Sequence, residues 1–169
     1  MKKSLIWLAG AAALAIAAPV VAETCAFPSE RAALELNALQ SHLAVVAIRC
    51  QQDATYASLV RRHQGDLAGA NRTAQTHFRR AYGTAGTARF HSYSTELINA
   101  HDQEAARFEA FLCRDNAALF QQAVAAPNSA ELIRMAVSRN ILMTYEPATC
   151  TSAAPNQNRA AARPVRAQR

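Results

Sequence analysis

Apolar residues recur through the middle of this chain at alternating steps of three and four, the spacing of helices that bury one face. Leu36, Leu39, Leu43, Val46 and Cys50 form the first such seam, on a helix predicted from about Ser29 to Gln52. Pro28 and Ser29 supply a stop and an N-cap before it, and Glu30 suits the positive end of the helix dipole. A second seam, Tyr56, Val60, His63, Leu67, Ala70, Ala74, Phe78 and Ala81, predicts a helix from about Ala54 to Tyr82, capped by Asp53 and stopped by Gly83. Gly65 and Gly69 lower helix propensity midway, so a kink is expected near them. The third seam, Phe90, Leu97, His101, Ala105, Phe108, Leu112 and Leu119, runs to about Ala125, as one long helix or as two that meet near Asn99–Asp102. Pro127, Asn128 and Ser129 end it, and Ser129 caps a fourth helix from about Ala130 to Met143. No stretch reads as the strict alternation of a half-buried strand. The predicted fold class is all-α, a four- to five-helix bundle.

The two ends of the chain differ from this body. Lys2 and Lys3, an uncharged run from Leu5 to Ala18, and small residues at Val20-Val21-Ala22 predict a secretory signal peptide over 1–22, cut before Glu23. Pro19 and the lack of a following stop-transfer charge cluster argue against a membrane anchor, so no transmembrane helix is expected in the mature chain. Residues 23–150 form the predicted bundle domain. From 151 to 169, Ala, Pro, Asn, Gln and Arg dominate, a composition that cannot bury enough apolar surface to offset its ordering entropy. A disordered basic tail is therefore expected there, on a protein exported to the bacterial periplasm or beyond.

Charge then divides along the same lines. The chain has 18 basic and 12 acidic residues. Lys2 and Lys3 leave with the signal, and Arg159, Arg163, Arg166 and Arg169 belong to the tail. The remaining 12 basic residues balance the 12 acidic ones, so the body is neutral. Nucleic-acid binding wants a basic face on a folded part and is not expected. The four tail arginines are the candidate contacts for an anionic envelope component or another protein.

Four cysteines, Cys25, Cys50, Cys113 and Cys150, imply two disulfides in an exported chain. Glu23 does not suit the apolar motif that precedes a lipid-modified cysteine, so Cys25 also reads as a disulfide partner. At about 1.5 Å of rise per residue, an unbroken third helix carries Cys113 back up to Cys50 and leaves Cys150 beside Cys25. A reversal near Asp102 would instead pair Cys25 with Cys113 and Cys50 with Cys150. The seam continues across Asp102, which favours Cys50–Cys113 and Cys25–Cys150.

Candidate chemistry is sparse. His63 and His101 fall on seams, each with a carboxylate three residues on, Asp66 and Glu104. Bundle cores hold metals through such side chains, so these four are the candidate ligand-binding residues. The competing reading is a buried histidine bonded to its neighbouring carboxylate. His42, His77 and His91 have no ligand-like spacing and read as surface or boundary groups. No nucleophile elbow, phosphate loop or haem-attachment motif occurs, and neither catalytic residues nor a cofactor is assigned. The expected role is a non-catalytic binding or structural protein of the envelope, with a metal- or small-ligand-binding bundle and an enzyme with an unrecognised site as alternatives.

The runs Val45-Val46-Ala47-Ile48-Arg49-Cys50, Tyr56-Ala57-Ser58-Leu59-Val60-Arg61-Arg62, His77-Phe78-Arg79-Arg80-Ala81-Tyr82-Gly83 and Phe111-Leu112-Cys113 resemble small exported four-cysteine helical bacterial proteins with no assigned function. The resemblance covers most of the body and not the tail. It implies helices, export and disulfides, and brings no catalytic residues.

Overall fold

Pro28 opens α1 (Pro28–Cys50) in the computed structural model, which describes residues 24–150. The segment 1–22 expected to be a signal peptide and the segment 151–169 expected to be a disordered tail lie outside the described residues. Helices α2 (Asp53–Arg62), α3 (Gln64–Tyr82), α4 (Gly86–Arg107), α5 (Glu109–Ala125) and α6 (Ser129–Ser138) follow, with a 3-10 turn at Gly83–Ala85. The fold is all-α, and the two disulfides are Cys25–Cys150 and Cys50–Cys113.

Among the described residues six helices make four rods, because α2–α3 and α4–α5 are each one bent rod. At His63 the backbone moves to φ −108°, ψ 20°, while the His63 and Leu67 amides still donate four residues back. Phe108 does the same at φ −110°, ψ 18°, between the Glu104 and Leu112 bonds. The first bend thus falls at His63, before the two glycines expected to cause it. A methyl at Gly65 would meet nothing within 4 Å, so that position is set by no close packing. The second bend falls at Phe108, six residues beyond Asp102, and it does not reverse the chain. Cys113 therefore reaches Cys50, as the continuous seam implied.

α1 is the central helix and packs against α3, α4, α5 and α6. Its buried residues, Ala33, Leu34, Leu36, Ala38, Leu39, Leu43, Val45, Val46 and Ala47, cover far more than one seam. Leucines fill one core with α2, α5 and α6, around Leu39, Leu43, Leu59, Leu119 and Leu132. The other face meets an aromatic core of Phe78, Phe90 and Tyr93, with Tyr82 and Tyr145 against it.

The caps differ from expectation at four places. Phe27, not Ser29, precedes α1 as its cap, and Pro28 is its first residue. Gln52, not Asp53, precedes α2 as its cap, and Asp53 is its first helical residue. Asn128, not Ser129, caps α6, its side chain accepting the Glu131 amide at 3.1 Å. α6 ends at Ser138, not Met143. Asn140 takes a left-handed φ of 49° and the Ile141 amide reaches back to Ala136, a glycine-like helix stop provided by asparagine. Beyond it the chain is extended. Ile141, Met143 and Tyr145 face the aromatic core while Leu142, Thr144 and Glu146 face solvent. This segment ends on a parallel bridge between Ala26 and Thr149, where the Ala26 amide donates to Ala148 and the Cys150 amide to Ala26. No helix among the described residues is long and apolar enough to cross a membrane.

Candidate functional site

Two polar clusters lie inside this frame. The first joins both ends of the described chain. Glu30, in the first turn of α1, is 7 % exposed, and its carboxylate accepts the Phe27 amide at 2.9 Å. Arg80 of α3 grips it through Nε at 3.0 Å and Nη2 at 2.5 Å, and donates to the Cys25 carbonyl at 2.6 Å. His77, one turn earlier and fully buried, places Nδ1 3.0 Å from Glu30 and Nε2 2.9 Å from the Tyr145 hydroxyl. Burial pushes the Glu30 carboxyl up, but Arg80, the Phe27 amide and His77 outweigh it and hold the carboxyl below its ordinary value. Burial pushes His77 down; the Glu30 hydrogen bond and charge pull it back, and the net shift is downward. The cluster is a lock: every polar group of His77 is committed to protein partners, and the extended C-terminal segment closes over it beside Cys25–Cys150.

His77 corrects the reading of that residue as a surface or boundary group. Its place at 70+7 and 74+3, beside the buried Ala70, Ala74, Phe78 and Ala81, is the helical signal that marks it as interior.

The second cluster lies where the bend at Phe108 turns α4 into α5. One donor atom from each of His42, His101 and Glu104 lies within 4.8 Å of the others. His42 comes from α1, and its ring stands edge-on to His101 with centroids 5.4 Å apart. His42 Nε2 is 2.8 Å from Asn116 Oδ1 of α5. His101 is 1 % exposed, with Nδ1 3.0 Å from the Ser41 hydroxyl and Nε2 3.1 Å from the Leu142 carbonyl. Burial first, and then the neighbouring His42, push His101 down to about 4, against the pull of the Leu142 carbonyl, so the ring is neutral at neutral pH. A cleft of about 220 Å³ opens beside the cluster, lined by His42, Glu104, Asp115 and Asn116 among others. Phe108 and Phe111 stand at its rim, 58 % and 52 % exposed.

The four candidate ligand-binding residues are thus divided. His101 and Glu104 meet, with His42 as the third member that spacing had passed over. His63 is buried, but its Nε2 donates to the Ala123 carbonyl at 3.2 Å, and Asp66 lies 3.9 Å from Nδ1. Neither Asp66 nor Glu104 is the hydrogen-bond partner of its neighbouring histidine; carbonyls of distant segments take that place. His42 and His101 are 59 residues apart and only packing of α1 on α4 brings them together. The tail residues Arg159, Arg163, Arg166 and Arg169 lie outside the described residues.

Fold and site together define a cystine-stapled helical bundle with a histidine–carboxylate cluster at a helix bend. No protein-family model, no curated protein and no solved structure matches the chain.

Proposed function

We propose that this is an exported, non-catalytic protein of the bacterial envelope that works by binding, and that its basic tail makes the contact with anionic lipid headgroups. Charge segregation carries the reading. Residues 23–150 balance 12 basic against 12 acidic side chains, while residues 151–169 hold four arginines and no acid. The Cys25–Cys150 disulfide supports it by fixing the point from which the tail departs. Each arginine near an anionic surface contributes about 1 kcal/mol, so the four together provide up to about a thousandfold in affinity.

Sedimentation with phosphatidylglycerol vesicles tests this. The exported chain should bind, less so at high salt, and removal of residues 151–169 should abolish the binding. Equal binding by the truncated chain would sink the tail reading. The alternative of a ligand-binding bundle is favoured by one observation, the convergence of His42, His101 and Glu104 beside an open cleft.

A further inference from the structure

We propose that His42, His101 and Glu104 bind one divalent first-row transition-metal ion, with Zn2+ the fitting probe. Asn116 of α5 orients the His42 ring. Its Nδ2 donates to the Leu112 carbonyl at 2.9 Å, which turns Oδ1 towards His42. An amide oxygen only accepts, so His42 Nε2 carries a proton, and Nδ1 is the nitrogen that can offer a lone pair. The same logic applies to His101. Its Nε2 faces the Leu142 carbonyl, also an acceptor only, so Nδ1 is again the bare nitrogen and receives the Ser41 hydroxyl proton.

Each ring thus has Nε2 anchored on an oxygen and Nδ1 as the nitrogen left to bind an ion. Metal-binding histidines are held this way, the outer N–H on a carbonyl fixing tautomer and orientation. Glu104, one turn beyond His101, adds the anionic oxygen. Two imidazoles and a carboxylate suit Zn2+ and its neighbours, whereas Ca2+ and Mg2+ prefer all-oxygen shells.

Bonds of about 2.0–2.2 Å put tetrahedral ligand atoms roughly 3.4 Å apart. The present 4.8 Å spread closes by about an ångström or more of side-chain movement, for which the half-buried His42 and Glu104 have room. The Ser41 hydroxyl, which bonds His101 Nδ1, rotates away. The cleft leaves a further coordination position for water or for Asp115 and provides the path of entry. The backbone is braced on this side by Cys50–Cys113 between α1 and α5 and by Arg49–Asp102 between α1 and α4.

Calorimetric titration of Zn2+ alone into the chelator-stripped exported chain tests the site. One ion per chain is expected. His42→Gln and Glu104→Gln should each weaken uptake about tenfold or more, and Asn116→Ala about tenfold through loss of the fixed tautomer. His91→Gln and removal of residues 151–169 should leave uptake unchanged, which separates this site from the tail. Absence of saturable uptake by the native chain overturns the proposal. So does a His42→Gln/Glu104→Gln chain that binds as tightly as the native one. Should a variant unfold, the visible spectrum of Co2+ with the native chain decides: four-coordinate bands support the site, and the aqueous-ion spectrum alone overturns it.

Discussion

Glu30 is a carboxylate taken out of water, and it stays charged because Arg80, His77 and the Phe27 amide replace the lost solvent. Glu30→Gln should cost about 2–4 kcal/mol, since it removes the buried charge that Arg80 and His77 both bond. The same cluster sets a pH dependence. The folded carboxyl sits below its ordinary 4.5, so its contribution is full above that value and is lost as pH falls through the folded one. His77 sits below its ordinary 6.5, so the fold favours the neutral ring; that contribution is full above 6.5 and falls on acidification. His101, at about 4, acts in the same direction. Urea unfolding with chelator present should show the midpoint falling once pH drops below 6.5, and less steeply in His77→Gln. A midpoint independent of pH on the acid side would contradict this account. His77 was misread as a surface or boundary group although its spacing from Ala70 and Ala74 marks it as interior; its partners could not be read, because Glu30 and Tyr145 lie 47 and 68 residues away in the chain.

Elements show a different division. A kink was expected near Gly65 and Gly69, yet among the described residues the glycine under steric demand is Gly86, the first residue of α4. A methyl there would stand 2.5 Å from Arg79 Cα and 2.6 Å from the Phe78 carbonyl oxygen. Gly86→Ala should force α3 and α4 apart and cost about 1–3 kcal/mol, whereas Gly65→Ala should be neutral or raise stability by up to about 1 kcal/mol. Thermal melts of the two variants check the contrast, and equal melting temperatures would refute it. Helix existence and direction were legible because the three–four spacing needs only local sequence. The end of α6 was not. Ile141, Met143 and Tyr145 alternate as an extended segment should, but the apolar Leu142 beside them made the run read as helix. Only the aromatic core beneath decides which of these side chains is inside.

For the molecule as a whole, the two disulfides close nested loops spanning 63 and 125 residues. Loop-closure entropy assigns each about 4–5 kcal/mol, with the sum reduced because one loop lies inside the other. Cys25→Ser/Cys150→Ser should lower the guanidinium midpoint and also raise hydrogen exchange across 141–150, whose bridge to Ala26 would no longer be tethered. Cys50→Ser/Cys113→Ser should lower the midpoint while leaving that bridge protected. If both pairs changed exchange at the same sites, the disulfides would not have the separate roles described here.

Cysteine pairing was reached from helix rise and an unbroken seam, because a bent rod still delivers its far end to the same level of the bundle. The all-helical class and the places of most turns came from local periodicity and turn residues. Tertiary structure alone decided that α1 is enclosed by its neighbours, that His63 and His101 have different partners, and that His42 joins His101 and Glu104. Periodicity records which face of a helix is buried; it carries no information on which other helix lies against that face. Contacts between residues dozens of positions apart follow from packing the rods together, and the candidate site is made of such contacts.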